Sequence, residues 1–402
     1  MSGTSPLSST PGNPAAHRSR WPPEIDLLVA CARLRLEPDD LARVRAAVQV
    51  GVDWSRVLQL ATVHGLLPLL NRQVASSALS LPPGDAATLR EQALATAGRS
   101  LQLAADLLSL LRLGAEHGIT VVPLKGPVLA QQVYGSVALR QIGDLDVLLR
   151  ERDLERFVRL LNARGYQPAS ESSASGGDFD RRNSHHVSVV DPRRRITVEL
   201  HHCLLRPRAR NRWDLEMIGP RLERTLFMGH PVSVLTREDL LVYLCEHGAE
   251  HTWSRLEWLV AVAELVRHGQ VRDWTRVRRW AHELGATRRV SAALLLANEL
   301  LGAGATVDGA TRERAALAAN RAIVLRRLLA DPLRTIESPA ERFGYLFLTD
   351  RTPAARLRRC WTTLMTPSLA DTKAFPLPKP LFPLYRVLRP VRLLARRLTK
   401  GH

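Results

Sequence analysis

The feature that most limits what this chain can fold into is a double change in the period of its apolar pattern. From Glu24 to about His117 apolar residues recur at helical spacing, ending in an Ala/Leu-rich run from Asp85 through Leu113. Between Ile119 and Leu235 the spacing falls to two, the period of strands, and from Glu238 to about Leu348 it is helical again. The expected class is therefore α+β, a small mixed-sheet core flanked by N-terminal and C-terminal helical regions. Five segments follow: a Ser/Thr/Pro/Gly-rich, disordered N-terminus at 1–23, a helical region at 24–117, the sheet core at 118–235, a second helical region at 236–350 and a basic Pro/Arg-rich tail at 351–402. No internal repeat and no heptad array is visible.

Inside the core, Ile119-Thr-Val-Val-Pro-Leu124 predicts a strand entering Lys125-Gly126-Pro127, after which Val128 to Val133 predicts a helix with proline in its first turn. A strand, a glycine turn and a helix N-terminus present free backbone N–H groups to a phosphate, although Pro127 removes one such donor. Asp144 to Leu149 alternates like a half-buried strand, which puts Asp144 and Asp146 on one face and Leu145 and Val147 on the other. Arg152 to Arg164 predicts an amphipathic helix closed by Gly165. Beyond a Ser/Gly-rich loop at Ser170 to Asp178, His185–Val190 and Ile196–His201 flank a turn at Asp191-Pro192 and predict a hairpin. In its second strand Ile196, Val198 and Leu200 turn to the core, while Thr197, Glu199 and His201 point the other way. Thr225 to Leu235 predicts another short hairpin, turning near Gly229.

Three carboxylates on one surface, Asp144, Asp146 and Glu199, suit one or two hard divalent cations. Two such ions about 3.5–4 Å apart would neutralise a triphosphate, position an attacking hydroxyl and stabilise the leaving pyrophosphate. The order Leu124-Lys-Gly, Tyr134-Gly, Arg140 with Gly143-Asp-Leu-Asp146, Gly165-Tyr166 and Val198-Glu-Leu-His201 resembles the uncharacterised bacterial nucleotidyltransferase family of the polymerase-beta-like superfamily, over roughly residues 40–270. The resemblance implies a nucleotidyltransferase core and a Mg²⁺- or Mn²⁺-dependent transfer of NMP from an NTP such as ATP to a hydroxyl or phosphate of an acceptor. It also implies that Lys125 and Gly126 sit at the turn cradling the triphosphate, that Asp144 and Asp146 bind both metals, and that Glu199 completes the catalytic metal and activates the acceptor hydroxyl. Arg140 would meet phosphate or brace the Asp strand, and His201, on the Glu199 face, is a candidate for nucleotide contact. The fold leaves the acceptor open among a small molecule, a peptide, a protein and RNA. The competing class is a non-catalytic nucleotide-, RNA- or protein-binding member of the same fold; three clustered carboxylates argue against it, because an anion binder gains nothing from them without metal.

The remaining features carry blander readings. A formal charge of +18 comes from 57 Lys+Arg against 39 Asp+Glu, with lysine only at Lys125, Lys373, Lys379 and Lys400. Guanidinium favours phosphates, but an arginine-rich coding habit discounts the charge as evidence of a nucleic-acid partner. Cys31, Cys203, Cys245 and Cys360 lack C-x-x-C spacing, against a zinc-cysteine site or a disulfide framework, and suggest a reducing, cytoplasmic home. No run approaches ~18 apolar residues, and the N-terminus lacks the layout of a signal peptide, so a soluble protein is expected. His185, His186 and His202 read as packed or solvent-facing. His247-Gly-Ala-Glu-His251 matches the H-x-x-E-H pattern of inverted zinc peptidases, yet Gly248 weakens that helix, and a structural or pocket-lining role is favoured. Trp253, Trp258, Trp274 and Trp280 read as core. In the tail, Leu384, Val387, Val391, Leu394 and Leu398 alternate with Arg386, Arg389, Arg392, Arg396 and Lys400. That pattern makes a basic amphipathic helix kinked at Pro390, which either meets an anionic membrane surface as a peripheral contact, an RNA or an acidic partner, or docks on its own protein.

Overall fold

The computed structural model describes residues 21–77, 79, 81–169, 185–205, 213–305, 318, 321–326, 339–350, 353–365, 371, 374–375, 377, 381 and 384–399. Of the N-terminus expected at 1–23, residues 1–20 lie outside the described residues and Pro23 already belongs to a helix; the loop at 170–178 and Lys400 also lie outside, as do the side chains of Leu394, Arg396 and Leu398. The first helical region forms α1 (Pro23–Cys31), α2 (Pro38–Val50), α3 (Trp54–His64), α4 (Leu67–Ser76) and the 34-residue α5 (Pro83–Glu116). Proline opens α1, α2 and α5, where its missing N–H costs nothing. The Asp53 carboxylate caps α3 by accepting from Arg56 N at 3.2 Å.

Next come β1 (Val122–Pro123), α6 (Gly126–Tyr134), β2 (Leu145–Leu148), α7 (Glu151–Ala163), β3 (Gln167–Pro168), β4 (His186–Asp191) and β5 (Ile196–His201). They make a five-stranded sheet of order β1-β2-β5-β4-β3, in which β2 and β5 run parallel and the other neighbours antiparallel. The run expected as a strand over Ile119–Leu124 has register partners only at Val122 and Pro123, followed by Leu124 N donating to Asp146 O at 3.0 Å before the chain turns into Lys125-Gly126; β1 is the edge strand, where proline is tolerated. A short helix α8 (Leu215–Ile218) precedes a two-stranded ribbon of β6 (Glu223–Phe227) and β7 (His230–Val234).

The strand expected to be half-buried is covered on both sides: all four residues of β2 are buried. Leu145, Val147, Val198 and Leu200 pack with Leu103 and Leu107 of α5 and Phe157 and Leu161 of α7. On the other face Leu148 joins a larger core with residues of α9 (Arg237–Glu250), α10 (Leu256–Arg267), α11 (Trp274–Glu283) and α12 (Thr287–Leu301). Leu27 and Leu28 of α1 and Leu60 of α3 belong to that same core, so the two helical regions, remote in sequence, share one apolar interior. The Arg33 guanidinium ties them at a polar point, donating to Leu301 O at 3.2 Å while pairing with Asp40.

The C-terminal part adds α13 (Pro339–Thr349), α14 (Pro353–Met365) and α15 (Tyr385–Thr399), the last carrying Pro390 within a continuous helix. Arg389 and Arg392 both donate to the buried Asp371, at 2.6 and 2.5 Å. These two basic side chains dock on their own chain, whereas Arg386, Val387 and Val391 remain exposed. Among the described residues no helix is long and apolar enough to cross a membrane, and the four cysteines are free thiols.

Gly248 explains itself in this fold. It interrupts the helix former pattern of α9 because the ring of Trp253 lies where its Cβ would be, and that ring is anchored by Trp253 Nε1 donating to Tyr345 Oη at 2.9 Å. Replacing Gly248 by alanine should therefore destabilise the protein by roughly 1–3 kcal/mol through overpacking, although alanine is the better helix former by about 1 kcal/mol. Urea or thermal unfolding of Gly248→Ala checks this, and an increase in stability would contradict it.

Candidate active site

The site is assembled on the sheet face opposite α5 and α7. Gly126 adopts φ +64°, open to glycine, and the turn it makes lies against the Asp144 strand: an added Cβ would sit 3.6 Å from Asp144 O. Lys125, at the N-cap of α6, is thereby directed across the end of β2. Parallel register places Asp146 beside Glu199 and Leu148 beside His201, and antiparallel register places His186 beside His201. Tyr243 and His247 on α9 close the site from above; the His247 ring lies 3.4 Å from Lys125 Nζ.

Asp146, 2% exposed, is the hub. Its Oδ1 meets Lys125 Nζ at 2.9 Å and His201 Nε2 at 3.1 Å. His201 Nε2 also lies 3.4 Å from Glu199 Oε2, and His186 Nε2 lies 3.9 Å from Glu199 Oε1. Burial opposes ionisation of Asp146, yet the Lys125 ammonium and the His201 hydrogen bond hold its carboxyl well below the ordinary range. Burial likewise opposes charge on His201, but its bonds to Asp146 and Glu199 raise its pKa. His247 is pushed well below its usual value by burial, then by Lys125 and His251, and stands neutral. Asp144 behaves differently: burial first, then the charge of Asp146, and further that of Glu199, raise its carboxyl to about 6 against the pull of Lys125 and Arg140.

These residues fit a divalent cation on two counts. Asp146 Oδ2 is buried with no hydrogen-bond partner, so one carboxylate oxygen is left for a ligand while the other is held by Lys125 and His201. Asp146, Glu199 and His201 offer donor atoms within 4.8 Å of one another, and the like-charge repulsion felt at Asp144 is what a cation would relieve.

The structure thus brings Lys125, Asp146, Glu199 and His201 into contact, with Gly126 beneath them and Asp144 within electrostatic reach but outside that compact donor group. Arg140 is buried; its backbone oxygen accepts from Ser100 Oγ at 2.8 Å, and its charge is felt at Tyr134, Asp144 and Glu257. Among the described residues its guanidinium makes no ion pair within 4.0 Å, and its Nε is buried without a hydrogen-bond partner. His185 and His186 join His201 in a group of rings with centroids 4.6–5.3 Å apart. Sequence reasoning passed over them, although the hairpin register alone sets His186 opposite His201. Trp258, expected in the core, is half-buried against His247 and His251, at 5.3 and 5.2 Å between ring centroids.

The sequence model of a family described as an uncharacterised nucleotidyltransferase matches residues 51–302, more than half of the chain and all of this site. No curated protein and no solved structure matches.

The raised Asp144 carboxyl has a measurable sign. With a folded-state pKa near 6 against an unfolded 3.8, this group's contribution to stability is intact below about pH 4 and is lost as pH rises through 6. Chelator-treated Asp144→Asn should therefore gain on the wild type as pH rises from 4 to 7, by on the order of 2 kcal/mol, read from urea unfolding at each pH. A difference that stays flat with pH would show that Asp144 ionises normally.

Proposed function

The chain belongs to the uncharacterised nucleotidyltransferase family, and from that premise we propose that it transfers NMP from a nucleoside triphosphate to a hydroxyl or phosphate of an acceptor, with Mg²⁺ or Mn²⁺ held by Asp144, Asp146 and Glu199. The observation that carries the reading is the divided carboxylate of Asp146, one oxygen fixed by Lys125 and His201 and the other buried without a partner beside Glu199. When bound, the divalent cation supplies charge compensation for the phosphates and for the leaving pyrophosphate.

The chain's own residues do the positioning that such a transfer needs. Lys125 holds Asp146 ionised; an ammonium has three N–H donors, so capacity remains for a phosphate oxygen at the N-terminus of α6. His201 orients both Asp146 and Glu199 through one nitrogen. Glu199 is held below its ordinary range by the His201 bond in spite of burial. A general base works best near the operating pH, so the role this supports for Glu199 is ligand and orienter. Arg140 steadies the turn before β2.

Calorimetric titration of each of the four NTPs, with and without Mg²⁺, tests the reading on the wild type and on Asp144→Ala/Asp146→Ala. Binding is expected only with Mg²⁺ and is expected to weaken at least about 100-fold in the double variant. Metal-independent, salt-sensitive RNA or nucleotide binding that survives the double substitution would place the chain among non-catalytic binders instead.

A further inference from the structure

Beside the carboxylates stands a group of different chemistry. His185 and His186 lie at the start of β4 and His201 at the end of β5, and each offers a ring nitrogen within 4.8 Å of the others. Their placement is fixed by backbone: His202 N donates to His185 O at 3.1 Å, and His186 is the register partner of His201. His185 Nε2 and His186 Nδ1 are 3.4 Å apart. That separation is roughly the edge of a tetrahedron whose centre lies ~2.1 Å from each corner, the length of a zinc–imidazole bond. The third ring is nine-tenths buried and keeps Nδ1 without a hydrogen-bond partner, while its Nε2 faces Asp146 and Glu199. An imidazole with one nitrogen held on a carboxylate and the other without a hydrogen-bond partner is oriented in the way proteins orient histidine ligands. His185 and His186 are partly exposed, so an ion in solution has access.

We propose that His185, His186 and His201 form a three-histidine site for a borderline divalent transition cation of the zinc and cobalt kind. Imidazole nitrogens select such ions over Mg²⁺, which demands oxygen. Three protein ligands leave the fourth position of a four-coordinate ion for water or a substrate atom, as opposed to a closed structural site. The site shares His201 with the nucleotidyl-transfer reading but does not rest on it.

The test is titration of chelator-stripped, full-length protein with Co²⁺, read by the visible d–d absorption of the ion, on the wild type, His185→Ala, His186→Asn and Asp144→Ala, each checked for folding by far-ultraviolet circular dichroism. The expected result is one cobalt per chain with the intense bands of four-coordination, displaced by Zn²⁺ and not by millimolar Mg²⁺. Loss of an outer-shell partner alone weakens metal binding about 10–100-fold, so each histidine variant should lose at least about 100-fold in affinity, while Asp144→Ala retains the bands. Faint six-coordinate absorption in the wild type, or bands that persist in both histidine variants, would overturn the proposal. Bands lost in Asp144→Ala alone would overturn it too, by placing the ion on the carboxylates. Calorimetry of NTP with Mg²⁺ on the same preparations separates the two readings: cobalt bands without Mg²⁺-dependent NTP binding leave this site standing and remove the transferase reading, and the converse removes this site alone.

Discussion

An ionised carboxylate in the middle of a strand covered on both faces is the constraint around which this molecule is arranged. Asp146 is almost inaccessible, and an uncompensated charge in such a place costs several kcal/mol. Its compensation comes from Lys125, which must be delivered by the turn after β1, and from His201, which must be delivered by the neighbouring parallel strand. A slip of one residue between β2 and β5 would set Val147 opposite Glu199 and break this face. The positive φ of Gly126, the proline that opens α6 and the seating of α9 over the sheet therefore serve one electrostatic requirement as well as packing.

Much of this was legible in the sequence because the relevant signals are local. A change of period located the sheet between two helical regions, and period two set Asp146 apart from Leu145 and Val147, and Glu199 apart from Val198 and Leu200. The ribbon of β6 and β7 turns through Met228 and Gly229, both at positive φ, close to where glycine announced it. Strand extent was less legible. Ile119 to Leu124 has the composition of a six-residue strand, yet a strand is as long as its ladder, and this one has partners only near the turn at Lys125-Gly126. The alternation of Asp144 to Leu149 suggested one wet face, but a strand's burial is decided by what packs over it, here helices far along the chain.

What sequence could not supply is convergence. His247 is 122 residues from Lys125 and reaches it only because α9 crosses the sheet. The neighbour that the sequence does not name is an ammonium, which together with burial keeps the imidazole neutral. Lys125 itself read as a phosphate ligand, whereas its first contact is Asp146. Both statements concern the same atom, because an ammonium that fixes a carboxylate still has donors for an anion. The half-burial of Trp258 against two histidines has the same origin, since a helical pattern predicts which face is apolar and not what polar group will stand at its edge.

Charge shows most clearly how composition and function part company. A surplus of +18 suggests a surface made for polyanions. Many of the described arginines are indeed exposed, Arg152, Arg159 and Arg279 among them, but several others point inward. Arg33 lies on Asp40, Arg289 bridges Glu246 and Asp350, Arg359 pairs with the same Asp350, and Arg389 with Arg392 clamps Asp371. Each is a partly or fully buried pair in which the planar guanidinium satisfies several acceptors at once, the use for which arginine is better suited than lysine. They join the segment after α1 to α2, α12 to α9 and to the end of α13, α14 to that same end, and α15 to Asp371, which is where a helical protein with few aromatic residues needs directional contacts. These arginines act as fasteners between segments of the chain. Net charge says little about anions here; the lysine that meets Asp146, one of only four in the chain, says more.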